Sequence, residues 1–389
     1  MKYWRGYLVA GVLGAMSWAL TAFAKSHSAL VDMVYPYITR LIQTFLAQWS
    51  SAVPFCVWQV LLLALGMAFL ASIVLMVVLR WNPFQWFGWV LAAASIALLL
   101  HTGLYGLNFH AGDLADDIRL EMADVTISQR VNAATYYRDR ANELSEQVNR
   151  DSDGSVQFDD FETLANQAAD GFTTMTYDRA ISIFAGSTVP VKKLGWADSF
   201  TKKGITGLTV SITGESAVNP DIPAVSLPFA ISHEMAHRMI IVNNRDANFA
   251  AFLACDANSD VQFRYSAYFM AYLYCYRDLQ ADSSAAAKTA LAELRSGMSE
   301  KLAQDIIDYE SFWMLYKDPM ETEAEGGFNN IYLLSGDDEA PQSTLTDLLT
   351  SWHFQQIVLP TYEEEEQVFD PYDETQVDLI TLGTEPAEE

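Results

Sequence analysis

The chain has 389 residues, 51% of them hydrophobic and 19% charged, with a formal net charge of −26. The charge is unevenly placed: residues 1–110 hold five bases and one acid, and residues 111–389 hold 18 bases and 48 acids. So acidic a second region argues against nucleic-acid binding and against adhesion to an anionic membrane surface, because both would set like charges together.

Taken in chain order, the first feature is an uncharged apolar run over 6–24. A second covers 54–79 and a third 84–109. About 20 apolar residues cross a bilayer core as a helix, so three transmembrane helices are expected. The first run has a basic start (Lys2, Arg5) and ends in Ala22-Phe23-Ala24, as a signal peptide does. A retained helix is the expectation, since further spans follow. The stretch 25–53 reads as a loop. Lys2, Arg5 and Arg80 placed in the cytoplasm put everything after Phe109 outside the membrane.

Beyond residue 110 the pattern predicts one or two helices over 113–150, then helices over 159–170 and 177–184. Leu208, Val210 and Ile212 alternate with Thr209, Ser211 and Thr213, which predicts a half-exposed strand within 204–213. Helices are then expected over 229–241, 246–255, 260–278, 284–316 with a break near Gly297, and 342–357. From Tyr362 to Glu389 there are eleven acids and no base, so 361–389 is expected to be a disordered acidic tail. Cys56, Cys255 and Cys275 fall in apolar patterns and are expected to be buried free thiols; a disulfide between Cys255 and Cys275 is the alternative.

The chemistry concentrates in His233-Glu234-Met235-Ala236-His237. Histidines four apart on a helix project from one face, so both imidazoles can reach one zinc ion. Glu234 is then placed to take a proton from a zinc-activated water. A catalytic zinc needs a third protein ligand. Asp246 is the first carboxylate after His237; its alternative role is to open the next helix as a cap. Asp256, Asp260 and Glu215 are fallbacks. His353 reads as a surface or core histidine. In Arg264-Tyr265-Ser266, Tyr265 is a candidate donor to a tetrahedral oxyanion, and packing is its alternative.

The segments Pro228–His237, Asp246–Cys255 and Arg264–Ser266 together resemble the uncharacterised bacterial membrane family called domain of unknown function 3810. Tyr35-Pro36, Val53-Pro54-Phe55, Tyr105–Phe109, Gly214-Glu215-Ser216, Phe312-Trp313 and Asn330–Leu333 extend the likeness over about 5–357. The resemblance implies three N-terminal spans and a zincin peptidase of the glutamate-ligand kind. The family pattern in the helix after the histidines is Glu-x-Glu-Ala-Asn, and its two acids correspond here to Asn244 and Asp246. The resemblance puts the third ligand at Asn244, where this chain has an amide.

The expected fold is therefore a mainly α membrane protein: a transmembrane region over 1–110, then a zincin-like, helix-rich α+β domain over 111–360. The expected function is a zinc-dependent, peptidase-like hydrolase in the bacterial cytoplasmic membrane, with its domain outside. His233, His237 and Asp246 or Asn244 hold Zn2+, Glu234 activates water, and Tyr265 assists. The expected partners are the lipid bilayer and a peptide or protein substrate, with no nucleic acid. The alternative is a non-catalytic binding or scaffold protein of the same fold. A transporter fits poorly, since the spans carry no acid–base pair.

Overall fold

Four long helices form the first region: α1 (Arg5–Ser26), α2 (Ser28–Ser50), α3 (Val57–Val78) and α4 (Pro83–Leu104). In this computed structural model, residues 2–122, 124–175, 183–184, 186–316 and 344–358 are described. α1, α3 and α4 are each 22 residues long and apolar enough to cross a membrane, which supports membrane anchoring. At about 1.5 Å per residue each is roughly 33 Å long, matching a hydrocarbon core of about 30 Å. The third expected span was longer than α4, because Tyr105 leaves helical dihedrals and Gly106–His110 continue as a 3-10 turn.

The stretch expected as a loop is α2. Its buried residues include Thr39, Arg40 and Gln43, while Leu41 and Phe45 are exposed. The apolar stripe thus faces away from the protein. Charges and Pro36 interrupt the run, so it does not read as a span.

α1 and α4 run side by side and parallel. A Cβ on Gly6 would lie 2.4 Å from the Gly88 carbonyl carbon, and Tyr7 meets Phe84 with ring centroids 4.5 Å apart. At the other ends Ala24, Val31 and Leu107 pack together. α3 returns antiparallel, with Ser72 on its second half accepting from the Trp86 indole at 3.1 Å.

The second region contains α5 (Leu114–Asp117), α6 (Ile127–Ser145), α7 (Phe161–Thr174), β1 (Lys192–Lys193), α8 (Ala197–Thr201), β2 (Gly207–Val210) and β3 (Glu215–Val218). It continues through α9 (Leu227–Arg238), α10 (Asn244–Ala257), α11 (Val261–Ala281), α12 (Ala285–Ser296), α13 (Glu300–Met314) and α14 (Leu345–His353). Helix starts follow the local sequence. Asp160, Asn243, Asp260, Ser284 and Ser299 each accept a first-turn backbone N–H, and Thr126 with Gln129 forms a capping box. The break near Gly297 separates α12 from α13 as expected. Most of the helix expected at 177–184, the Asn330–Leu333 segment and the acidic tail lie outside the described residues.

The sheet has the order β1-β3-β2, with β1 parallel and β2 antiparallel to β3. The expected strand shrinks to β2, because the chain turns at Gly214 (φ +66°) and comes back as β3. All four β3 residues are buried, so that strand has no alternation to read. One face of the sheet lies on α9. The other packs Leu208 and Ala217 against Cys56, Trp58 and Leu194. All three cysteines are buried and free.

The two regions are joined by buried polar contacts. Glu215 accepts from the N–H groups of Val57 at 2.8 Å and Trp58 at 2.9 Å, and Lys192 donates to it at 2.6 Å. A carboxylate on the sheet thus caps the first turn of α3, where the helix dipole favours negative charge.

Candidate functional site

α9 carries His233, Glu234 and His237. It is buried along its whole length except at His237, which is partly exposed. The two imidazoles lie together, with ring centroids 4.5 Å apart and planes at 87°. Burial lowers the pKa of both, so both are neutral, the form that ligates metals. The Asn248 side chain pulls the His233 pKa the other way, more weakly than burial lowers it.

The His237 tautomer follows from its partners. Nδ1 lies 2.8 Å from the Ile241 carbonyl, which can only accept, so Nδ1 carries the proton. Nε2 then presents a lone pair, and it faces Asn244 Oδ1 at 3.2 Å. Ile241 is held there by the end of α9: its N–H donates to Ala236 and that of Ile240 to His237, a Schellman closure. The left-handed position is Ile240, with φ +71°. Glycine usually occupies such a site, and a β-branched residue there costs about 1–2 kcal/mol. Arg40 of α2 clamps this turn by donating from Nε to the Met239 carbonyl at 3.0 Å.

Glu234 projects toward β2. A Cβ on Gly207 would come within 2.7 Å of its Cγ and Oε1, so only glycine leaves room for the carboxyl group. Oε2 lies 2.7 Å from Thr209 Oγ1, which lies 2.7 Å from Ser216 Oγ, which donates to the Glu234 carbonyl at 2.7 Å. Burial pushes the Glu234 pKa up to about 8, against weaker pulls from the Thr209 hydrogen bond and the Arg238 charge. Thr209 Oγ1 donates to Glu234 Oε2, and Ser216 Oγ donates to the Glu234 carbonyl, so the two hydroxyls hold both ends of the residue. A cation beside the histidines would favour the carboxylate.

The other sequence candidates are placed differently. Asp246 is buried, but its carboxylate accepts from Leu114 N at 2.9 Å, Asn243 Nδ2 at 3.1 Å and Arg245 Nε at 2.8 Å. Two positions along a helix turn the side chain by about 200°, so with Asn244 facing His237, Asp246 faces away. Tyr265 is fully buried and its hydroxyl donates to Asp305, which also pairs with Arg150. Its hydroxyl is committed to that buried ion pair, and among the described residues no contact joins Tyr265 to the histidines. His353 packs on Tyr136, with ring centroids 4.7 Å apart.

Tyr105, at the end of α4, was not singled out for the site by its sequence. Its hydroxyl lies 3.3 Å from His237 Nδ1. Thr209, Ser216, Gly207 and Arg40 were also missed. Tyr105 and Ser216 lie in stretches that resemble the family, Tyr105–Phe109 and Gly214-Glu215-Ser216, and Gly207 and Thr209 lie within the stretch read as a strand; none of these patterns points to the histidines.

Among the described residues no group of three or more His, Cys, Asp or Glu side chains is arranged to hold a metal. The donor set at α9 is two imidazoles and one amide oxygen. Imidazole nitrogens and an amide oxygen are donor types that a divalent cation accepts, with an amide where a carboxylate would bind more strongly. The molecule is thus a mainly helical, membrane-anchored protein, whose two-histidine helix lies where the anchoring region meets the second region. The chain belongs to the family of proteins of unknown function DUF3810, whose family model matches residues 31–340. No curated protein and no solved structure matches it.

Proposed function

We propose that the protein is a membrane-anchored, zinc-dependent, peptidase-like hydrolase acting outside the cytoplasmic membrane. The observation that carries this reading is the set of three around α9: two neutral imidazoles together, Asn244 Oδ1 against His237 Nε2, and Glu234 buried on the same helix. His233, His237 and Asn244 would hold the zinc. When bound, zinc supplies Lewis acidity at a water and at a scissile carbonyl. Glu234 takes the proton of the attacking water and passes it to the leaving amine. Thr209 and Ser216 hold Glu234 in place, and Ile241 fixes the His237 tautomer. β2, the edge strand beside Glu234, suits pairing with an extended peptide. The outward placement of the domain rests on the basic residues Lys2, Arg5 and Arg80.

One observation favours a second reading, a non-catalytic binding or scaffold protein of the same fold. Rotating the Asn244 amide would aim Nδ2 at Nε2 as a donor, which satisfies His237 without any metal.

The test uses the full chain in detergent micelles. The wild type should hold about one zinc per chain, and His233→Ala and His237→Ala should abolish it. Glu234→Gln should keep fold and zinc and lose peptide-library hydrolysis by about 10²–10⁴-fold. A zinc-free wild type with no hydrolysis would leave the scaffold reading standing.

A further inference from the structure

We propose that α2 lies in the plane of the bilayer surface, on the side of the second region, with its apolar stripe seated at the boundary of headgroups and acyl chains. The first support is topology. α2 begins one residue after α1, at the end where Ala24, Val31 and Leu107 meet, and Asp32 there accepts from Gly112 N at 2.8 Å. It ends where Lys192 donates to the Ser50 and Phe55 carbonyls and Glu215 caps α3. Both ends therefore contact the second region. A 23-residue helix with both ends on one side of the membrane does not cross it.

The second support is the distribution of side chains. Leu30, Met33, Tyr37, Leu41, Phe45 and Trp49 recur at helical spacing and are all exposed, Leu41 by 73% and Phe45 by 67%. The opposite face is polar and partnered: Thr39 donates to Asn108 at 3.2 Å, Arg40 to Met239 and Gln43 to Ser211 at 2.9 Å. A helix that shows its apolar side to the surroundings and its polar side to the protein is built for a surrounding that is not water. The stripe is continuous in sequence with exposed apolar residues of α1 and α3, such as Trp18 and Leu65. The occupant consistent with that continuity is the lipid that surrounds those spans. Burial of this stripe needs no anionic lipid, since apolar area supplies the attraction.

The consequence concerns the site. Arg40 and Gln43 touch the end of α9 and the turn after β2, so one helix, about 10 Å across, separates the histidine helix from the lipid. The site would then serve ligands presented at the membrane surface. The placement of α2 does not depend on the hydrolytic reading.

The test is collisional accessibility of nitroxides in proteoliposomes of phosphatidylcholine. Met33→Cys, Tyr37→Cys, Leu41→Cys and Phe45→Cys are labelled singly, with Leu65→Cys in α3 and Asp308→Cys in α13 as references. The native thiols are buried. All four labels should favour oxygen over a nickel chelate at one shared depth between the references, on the order of 5–10 Å below the phosphates. Values equal to the Asp308 reference would overturn the proposal. So would a depth that increases steadily from 33 to 45, which means crossing. Exclusion of both relaxants would also overturn it, because a second copy or another protein would then cover the stripe.

Discussion

Asn244 brings its side-chain oxygen to 3.2 Å from His237 Nε2, where the proposed zinc site calls for a third ligand. Asp246 turns the other way, into Arg245 and Leu114 N. Asn244→Glu should therefore tighten zinc binding by at least about tenfold, since even outer-shell partners of a metal change its affinity by about 10–100-fold. Asp246→Ala should keep the metal and lose about 3 kcal/mol of stability, because it strands buried donors. Chelator competition and thermal unfolding separate the two effects. Metal lost in Asp246→Ala but kept in Asn244→Ala would refute the assignment.

Gly207→Ala tests the positioning of Glu234. The new Cβ would meet the Glu234 side chain at 2.7 Å, so the carboxyl group must move. If hydrolysis occurs, its rate should fall on the order of 10²-fold, as misplacing a reacting group by about 1 Å can do. Zinc content should be unchanged. An unchanged kcat would show that Glu234 does not act from this position.

The Lys192–Glu215 pair should behave as one unit joining the sheet to α3. Glu215 has no side-chain exposure and Lys192 has 10%. Glu215→Gln alone should cost about 3 kcal/mol, because Lys192 then lacks its buried counter-charge. Combined with Lys192→Met it should cost less than the two single changes together. Strict additivity in denaturant titrations would show that the contact carries no coupling.

His353 makes stability depend on pH. Burial lowers its pKa to about 4, against about 6.5 in an unfolded chain. Between these values the unfolded chain binds more protons, so this contribution is complete above about pH 6.5 and is lost as pH falls toward about 4. His353→Phe keeps an aromatic ring against Tyr136 and should flatten the fall in unfolding temperature across that window. An equal slope in both proteins would mean that His353 takes no part.

Local patterns in the sequence specify the three helices long and apolar enough to cross a membrane, the capped helix starts and the placement of His233 and His237 on one face. Each is a local pattern: a run length that fits a bilayer, a cap residue at a helix start, or an i, i+4 spacing that places two side chains on one face. Alternation likewise located β2, although not β3, whose two buried faces erase the signal. What meets the histidines depends on long-range packing. Asn244 and Asp246 lie on opposite sides of α10, and the packing of that helix on α9 turns Asn244 toward His237. Tyr105 reaches His237 across 132 residues of sequence, and Tyr265 is drawn to Asp305 across 40. α2 escaped a sequence reading for a related reason. Hydrophobic periodicity marks which face is apolar, and only the contacts of Arg40 and Gln43 show that the polar face is the one turned inward.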